Sequence, residues 1–381
     1  SWRGQALAPV PEVWLKLVLS RYWRMHPNQT TMPDFISWQK KLCPLLKPIS
    51  LIYGLCMRLR AAYWIKANHG WTPPIPCISV GNISWGGTGK TPFCQYLIKF
   101  SLQHGLCPVI LTRGYKANPP TYPYLVQPDD EPTTSGDEPL LLARTSSQAR
   151  IIIDPDRTRA GKWALKHLNP DIFILDDGFQ HLKVKRHLNL VLFSPEDILT
   201  QWNKVIPAGS WRESEIALKR ADIFLINTWD RDKAILTGHA SRKLARFNKP
   251  IFYFSIYPTE LINLKTRARL SHLNNEPYIL ITSVANPRKV FSSVTYFLSY
   301  PPQKHISFPD HYHFDKKDFD NLLQLVHKKN IKYIVCTTKD APKLKKFTYP
   351  YLLALKAEVK FSSENKQQFE QIFLKTIKKF S

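Results

Sequence analysis

Two kinds of residue in this sequence have the type and spacing to do chemistry: a glycine-rich turn that ends in Lys-Thr, and a set of acids that fall at the ends of apolar runs. The turn lies in Ile78-Ser-Val-Gly-Asn-Ile-Ser-Trp-Gly-Gly-Thr-Gly-Lys-Thr-Pro92. An apolar run precedes it and a segment with helical spacing follows, which is the context of a phosphate-binding P-loop. The strict pattern G-x-x-x-x-G-K-[ST] is missed by one position, because Ser84 stands where its first glycine belongs. The physics survives that miss: Gly86, Gly87 and Gly89 let backbone N–H groups turn toward an anion, and a helix N-terminus adds favourable partial charge. Ser84, Trp85, Gly86, Gly87, Thr88, Gly89, Lys90 and Thr91 are therefore expected to cradle the phosphates of a nucleotide. Lys90 would reach the β- and γ-phosphates, and the Thr91 hydroxyl would bind Mg2+.

A P-loop enzyme also needs a carboxylate at the end of another strand. Ile172-Phe-Ile-Leu-Asp-Asp177 supplies it, placing Asp176 at the carboxyl edge of a sheet, with Asp177 beside it as a second contact to the ion. Ser135-Gly-Asp-Glu-Pro139 puts Asp137 and Glu138 in a turn of a very basic chain. Either this is a solvated turn, or it holds the general base that an attacking hydroxyl requires. Further on, His311 and His313 follow an apolar run. Two histidines alone are fewer ligands than a metal site needs, and one histidine facing a cleft is the reading taken for this segment.

The elements that must position these residues are legible as short uncharged runs at 78–80, 109–111, 151–153, 172–175, 190–193, 223–226 and 251–254. Such runs suit strands buried on both faces. Residues 93–102 carry Phe93, Leu97 and Phe100 at helical spacing, as a helix covering the sheet would. The expected fold is α/β: a P-loop NTPase-like parallel-sheet domain over 75–256, a linker at 257–277 and a smaller α/β domain over 278–381. Before them, residues 42–74 hold an amphipathic, membrane-associated helix, and residues 1–41 are an extension without an assignment. Within the helix region Ile49, Ile52, Tyr53, Cys56, Leu59 and Tyr63 form an apolar stripe, with Arg58, Arg60 and Lys66 toward its end.

Composition bounds the partners. The chain has 381 residues, and 54 Lys+Arg against 29 Asp+Glu leave a formal charge of +25, which asks for nucleic acid, phosphate-bearing substrates or an acidic lipid surface. The six cysteines form no C-x-x-C pair and read as reduced thiols. No segment reaches roughly 18 uncharged apolar residues, so ordinary membrane spanning is not expected. The stretch 13–19 is interrupted by Lys16 and lacks a small-residue cleavage site, which argues against a secretory signal.

Taken together, the segment from Val80 to Pro92, Thr112-Arg-Gly-Tyr115, Gly136-Asp-Glu-Pro139, Asp176-Asp-Gly-Phe-Gln-His181, Pro309-Asp-His311 and Thr338-Lys-Asp-Ala341 resemble, in order, the motifs of the tetraacyldisaccharide 4′-kinase (lipid A 4′-kinase) family. The resemblance runs from about residue 48 to near the C-terminus. It implies γ-phosphoryl transfer from ATP to the 4′-hydroxyl of a lipid disaccharide 1-phosphate, at the cytoplasmic face of the bacterial inner membrane. It implies Lys90 and Thr91 as the P-loop pair and Asp176 as the metal-side acid. Asp137 is implied as the catalytic aspartate, with His311 as its partner and Glu138 as an acidic neighbour. Arg113 and Arg212 are the candidate substrate-contacting residues. Two departures stand out: Thr338 where the family commonly has an acid, and Gly209-Ser-Trp-Arg-Glu-Ser214 in place of a proline-bounded segment. No obligate protein partner is expected. The second reading, a basic P-loop ATPase acting on nucleic acid, lacks a recognised nucleic-acid module. A guanine-nucleotide switch would need Lys and Asp separated by one residue, whereas Lys339 and Asp340 are adjacent.

Overall fold

The computed structural model describes residues 35–66, 69–146, 148–228, 230–310 and 312–380. The extension 1–41, up to residue 34, and the histidine at 311 lie outside the described residues. The chain order is α1 (Phe35–Lys66), β1 (Cys77–Asn82), α2 (Lys90–Gln103), β2 (Pro108–Thr112), β3 (Tyr124–Leu125), α3 (Pro132–Ser135), α4 (Asp137–Thr145), β4 (Arg150–Ile153), α5 (Arg157–His167) and β5 (Ile172–Asp176). Then come β6 (Leu188–Phe193), α6 (Pro195–Leu199), β7 (Ile223–Asn227), α7 (Asp230–Leu244), β8 (Ile251–Asn263), β9 (Arg269–Leu270), β10 (Tyr278–Thr282) and α8 (Pro287–Leu298). The chain closes with β11 (Lys304–Ser307), α9 (Lys316–Lys328), β12 (Tyr333–Thr337), α10 (Ala341–Leu344), β13 (Leu352–Phe361) and α11 (Ser363–Ile377).

Every uncharged run singled out in the first half is a strand, and β1, β2, β5, β6 and β7 are buried along their whole length. Strand β1 lies between β5 and β6, parallel to both, so the order of the sheet reverses there. A reversal of this kind opens a crevice at the carboxyl ends of the strands, and the glycine-rich turn leaves β1 into it. In the second half, β11, β10, β12 and β13 are likewise parallel.

The two halves share one sheet. Strand β8 pairs in parallel with β7 over its first residues, then antiparallel with β13 from Phe254↔Phe361 to Asn263↔Leu353. Residues 257–277, expected as a linker, thus contain the second half of β8 and β9 paired to it. Reading strands as uncharged runs hid this ribbon, because β13 alternates apolar residues with Lys356, Glu358 and Lys360, the pattern of a half-exposed antiparallel strand. Helix α11 then packs on the first half. The Phe369 ring lies 5.7 Å from Phe93, 5.9 Å from Phe252 and 5.4 Å from Phe361, in a core shared with Ile78 and Val80 of β1.

Helix α1 departs from expectation in two ways. Residues Leu42–Lys66 are long and apolar enough to cross a membrane by length and composition, with mean hydropathy 1.4. Treating every charge as a break hid this, because the apolar run tolerates Arg58 and Arg60 and the helix continues through Pro44 and Pro48. Moreover, the face turned to the protein is not the large-residue stripe but Ser50, Gly54 and Ala61, with Tyr53 beside them, whereas Leu45, Leu51 and Ile52 are 75%, 75% and 66% exposed. The contact is sparse, since a Cβ on Gly54 would meet nothing within 4 Å, and the large apolar side chains are left facing outward. Contacts at Ser50 (from Ala208 N, 2.9 Å), Arg58 (to Ser214 Oγ, 3.3 Å) and Arg60 (to Gln180 O, 3.2 Å) seat the helix on the first half. Among the six cysteines, Cys77, Cys94 and Cys336 are buried, Cys56 is exposed, and all are free.

Phe369→Ala removes a ring on which both halves depend and should cost about 3–5 kcal/mol. Urea unfolding followed by probes in each half should show one transition moved to lower denaturant; a shift confined to one half would contradict the shared core.

Candidate active site

The glycine-rich turn is shaped by the conformations its glycines adopt. Gly89 caps α2 in the left-handed region at φ 97°, and a Cβ there would lie 2.6 Å from Ile256 Cδ1 and 3.1 Å from Asn227 Nδ2. Only glycine fits, for both reasons. Asn227, at the end of β7, donates from Nδ2 to the Thr88 carbonyl at 3.1 Å and steadies the turn. Ser84, the residue that breaks the strict motif, pairs as an isolated bridge with Trp211, and Trp85 N donates to Ser210 O at 2.9 Å. The segment 209–214 is thus a wall of the phosphate turn.

Lys90 donates from Nζ to Asn82 Oδ1 at 3.1 Å and lies 3.3 Å from Asp177 Oδ1. Arg212 grips the same carboxylate with two bonds, 2.9 and 3.1 Å, and also reaches Asn82 Oδ1 at 2.8 Å and Gln180 Oε1 at 3.1 Å. Burial works to raise the Asp177 carboxyl, but Arg212 and Lys90 outweigh it and hold it far below its ordinary range. Asp177 is a docking point for the Arg212 and Lys90 cations in this arrangement.

Asp176 is held differently. It ends β5, buried, accepting from Thr112 Oγ1 at 3.1 Å and from the Cys94 thiol at 3.7 Å. Burial, then the Glu138 and Asp177 carboxylates, push it up to about 6. Thr91, at the start of α2, donates to Glu138 Oε2 at 3.2 Å, which brings the phosphate turn against α4. Gly136 at φ 76° precedes that helix, and a Cβ there would meet Tyr115 O at 2.9 Å, so Asp137 and Glu138 open α4 from a turn that needs glycine.

The described partner of Asp137 is Lys343. Its Nζ lies 2.9 Å from Asp137 Oδ2, and the two side chains are 3% and 7% exposed. Lys339, four residues earlier, stands 3.6 Å from Glu138 Oε1 and 3.2 Å from Asp310 Oδ1. The expected pairing of Asp137 with His311 lies outside the described residues; His313 is exposed. Arg113, at the end of β2, is exposed, and its charge reaches Arg157. Sequence reading gave no site role to Asn82, Gln180 and Lys339, which stand in the quoted motifs, and missed Lys343. In a chain with 54 Lys+Arg a single lysine carries no distinguishing signal; only its position three residues after Asp340 in a quoted motif pointed toward it.

Among the described residues no group of three or more His, Cys, Asp or Glu side chains encloses a metal site. What the edge offers is one or two carboxylates and a hydroxyl, the set that suits a hard cation sharing its remaining positions with phosphate oxygens and water. A divalent cation at Asp176 must displace the proton that this acid retains below about pH 6. Its apparent affinity should be level above roughly pH 7 and fall about tenfold per unit below about pH 6. Mn2+ titrations followed by water-proton relaxation check this, and a flat dependence from about pH 5 to 8 would remove Asp176 from the metal site.

A family model described as Tetraacyldisaccharide-1-P 4'-kinase matches residues 42–378. The tetraacyldisaccharide 4'-kinase of Nitratidesulfovibrio vulgaris is 41% identical over 310 residues, covering 81% of this chain and 86% of that one. That of Oleidesulfovibrio alaskensis is 42% identical over 307 residues, covering 80% and 85%. Among solved structures, LpxK from Aquifex aeolicus in complex with ATP superposes with a TM-score of 0.69 at 28% identity, covering 88% of this chain and 99% of that one. With the phosphate turn, the strand-end acid and the Gly-Asp-Glu-Pro turn gathered at one sheet edge, and relatives matching over most of the chain, this protein belongs to the tetraacyldisaccharide 4′-kinase family.

Proposed function

We propose that this kinase transfers the γ-phosphate of ATP to the 4′-hydroxyl of a tetraacylated disaccharide 1-phosphate, with Asp137 as the general base. The single observation that carries the reading is the meeting of α2 and α4, where Thr91 touches Glu138 and the buried Asp137 lies next in the chain. The acceptor oxygen attacks the γ-phosphorus and its proton passes to the Asp137 carboxylate. The bond from the γ-phosphorus to the β-phosphate oxygen breaks, ADP leaves, and the lipid gains a phosphate. Lys90, released from Asn82 and Asp177, turns to the β- and γ-phosphates, while Arg212 keeps Asp177 neutralised. Thr91 and Asp176 would hold Mg2+, which when bound neutralises charge on the phosphate oxygens. His311 and Glu138 are assigned to support the base, and Arg113 and Arg212 to the substrate side.

The acyl chains give α1 its place in this reading. Its exposed leucines and isoleucines would sit among lipid tails, its arginines at the headgroups, and the +25 charge against acidic lipid on the cytoplasmic face of the inner membrane. Because Arg60 touches Gln180, itself bonded to Arg212, the foot of the helix adjoins the catalytic edge. A lipid substrate would then reach the phosphate without leaving the surface.

Asp137→Asn keeps the shape and loses the charge. Turnover should fall roughly a hundredfold to ten-thousandfold while ATP binding, followed by calorimetry, persists; turnover within a few fold of wild type would reject the base. Leu51→Glu with Leu55→Glu places charge on the exposed side of α1 and should abolish co-sedimentation with anionic vesicles, whereas unchanged sedimentation would put the membrane contact elsewhere.

A further inference from the structure

Lys343 is the most buried cation at the active edge, and it comes from the opposite half of the sheet to the acid it meets. Its ammonium faces three acceptors: Asp137 Oδ2 at 2.9 Å, Ser283 Oγ at 3.2 Å and Asp340 Oδ1 at 3.7 Å. Asp340 is fully buried and pinned, accepting from Ser283 N at 3.0 Å, from Thr337 Oγ1 at 2.8 Å and from the Ser283 hydroxyl. The donors run in one direction. Ser283 gives its hydroxyl proton to Asp340 and accepts from Lys343, and Lys343 gives to Asp137. The ammonium is thus anchored on the far side by groups that follow β10 and β12, and only its near side addresses α4.

A buried ion pair of this kind adds little net stability over a well-packed apolar pair, because taking both charges out of water consumes most of the attraction. What it supplies is geometry and ionisation. Burial disfavours the charged form of a carboxylate, and a cation within hydrogen-bond distance restores it. Holding Oδ2 also fixes the plane of the carboxylate and the direction in which its other oxygen is presented.

We infer that Lys343, anchored by Asp340 and Ser283, is a positioning residue that holds Asp137 ionised and oriented as the acceptor's base. The inference rests on the reading of Asp137 as that base. Its expected signature is a loss in kcat with binding of ATP unaltered, since Lys343 acts through Asp137 and not through the phosphate turn.

The test uses the full chain in detergent with ATP and the lipid disaccharide 1-phosphate. Lys343→Met should lower kcat roughly a hundredfold or more, the scale of general-base loss, with KM for ATP within about threefold of wild type. Lys343→Arg, which keeps the cation, should recover at least about a tenth of wild-type kcat. In an Asp137→Asn background Lys343→Met should cost less than about threefold further, because groups acting as one unit are non-additive. Should the single variant fail to fold, Lys343→Met with Asp340→Asn, which removes one buried acid together with the cation, is read by the same criteria. A folded charge-less variant with kcat within about threefold of wild type, losses that multiply with Asp137→Asn, or failure of both charge-less variants to fold would each overturn the inference. If instead Asp137→Asn alone turns over normally, the base assignment has failed, and that result is separate from the behaviour of Lys343.

Discussion

Four carboxylates, Asp137, Glu138, Asp176 and Asp177, gather where β1 and β5 end and α4 begins, and like charges at such range repel by several kcal/mol when partly buried. The arrangement stands because cations from three distant stretches of chain are brought to it. Lys90 from the phosphate turn and Arg212 from the 209–214 wall neutralise Asp177, while Lys339 and Lys343 from the far half meet Glu138 and Asp137. Asp176 is left with hydroxyl and thiol donors and is pushed up to about 6. The acid with the least cationic support is the one best suited to an incoming metal ion.

That division of cations depends on the ribbon of β8 and β13. By pairing parallel with β7 and antiparallel with β13, β8 carries one sheet across both halves and sets α10 opposite α4. Helix α11 reinforces it, returning the chain end to the aromatic cluster under β1. The halves are therefore less independent than two domains on a linker, and the position of Lys343 relative to Asp137 follows from strand register as well as from side-chain packing.

Helix α1 answers a different demand. A soluble helix hides its large apolar residues, yet this one meets the protein through Ser50, Tyr53 and Ala61 and turns leucine and isoleucine outward. An exposed apolar surface of that extent marks an interaction site, and under the proposed function its partner is lipid. Its contacts at Arg58 and Arg60 join that surface to the wall that holds Arg212.

Much of this was legible in the residues themselves, for a local reason. Buried parallel strands need uncharged runs, so β1, β2, β5, β6 and β7 announced themselves, and Asp176 followed from its place at the end of one. Gly89 and Gly136 sit where positive φ and close neighbours leave no alternative to glycine, so the phosphate turn and the Gly-Asp-Glu-Pro turn carried local signatures too. What tertiary structure alone decided involves partners far apart in the chain. The pairing of β13 with β8, the docking of α11, the face by which α1 is seated, the grip of Arg212 on Asp177 and the pairing of Lys343 with Asp137 impose no local pattern. Each depends on which surfaces the folded sheet brings together, and a lysine among many becomes distinct only when folding buries it between the Asp137 and Asp340 carboxylates.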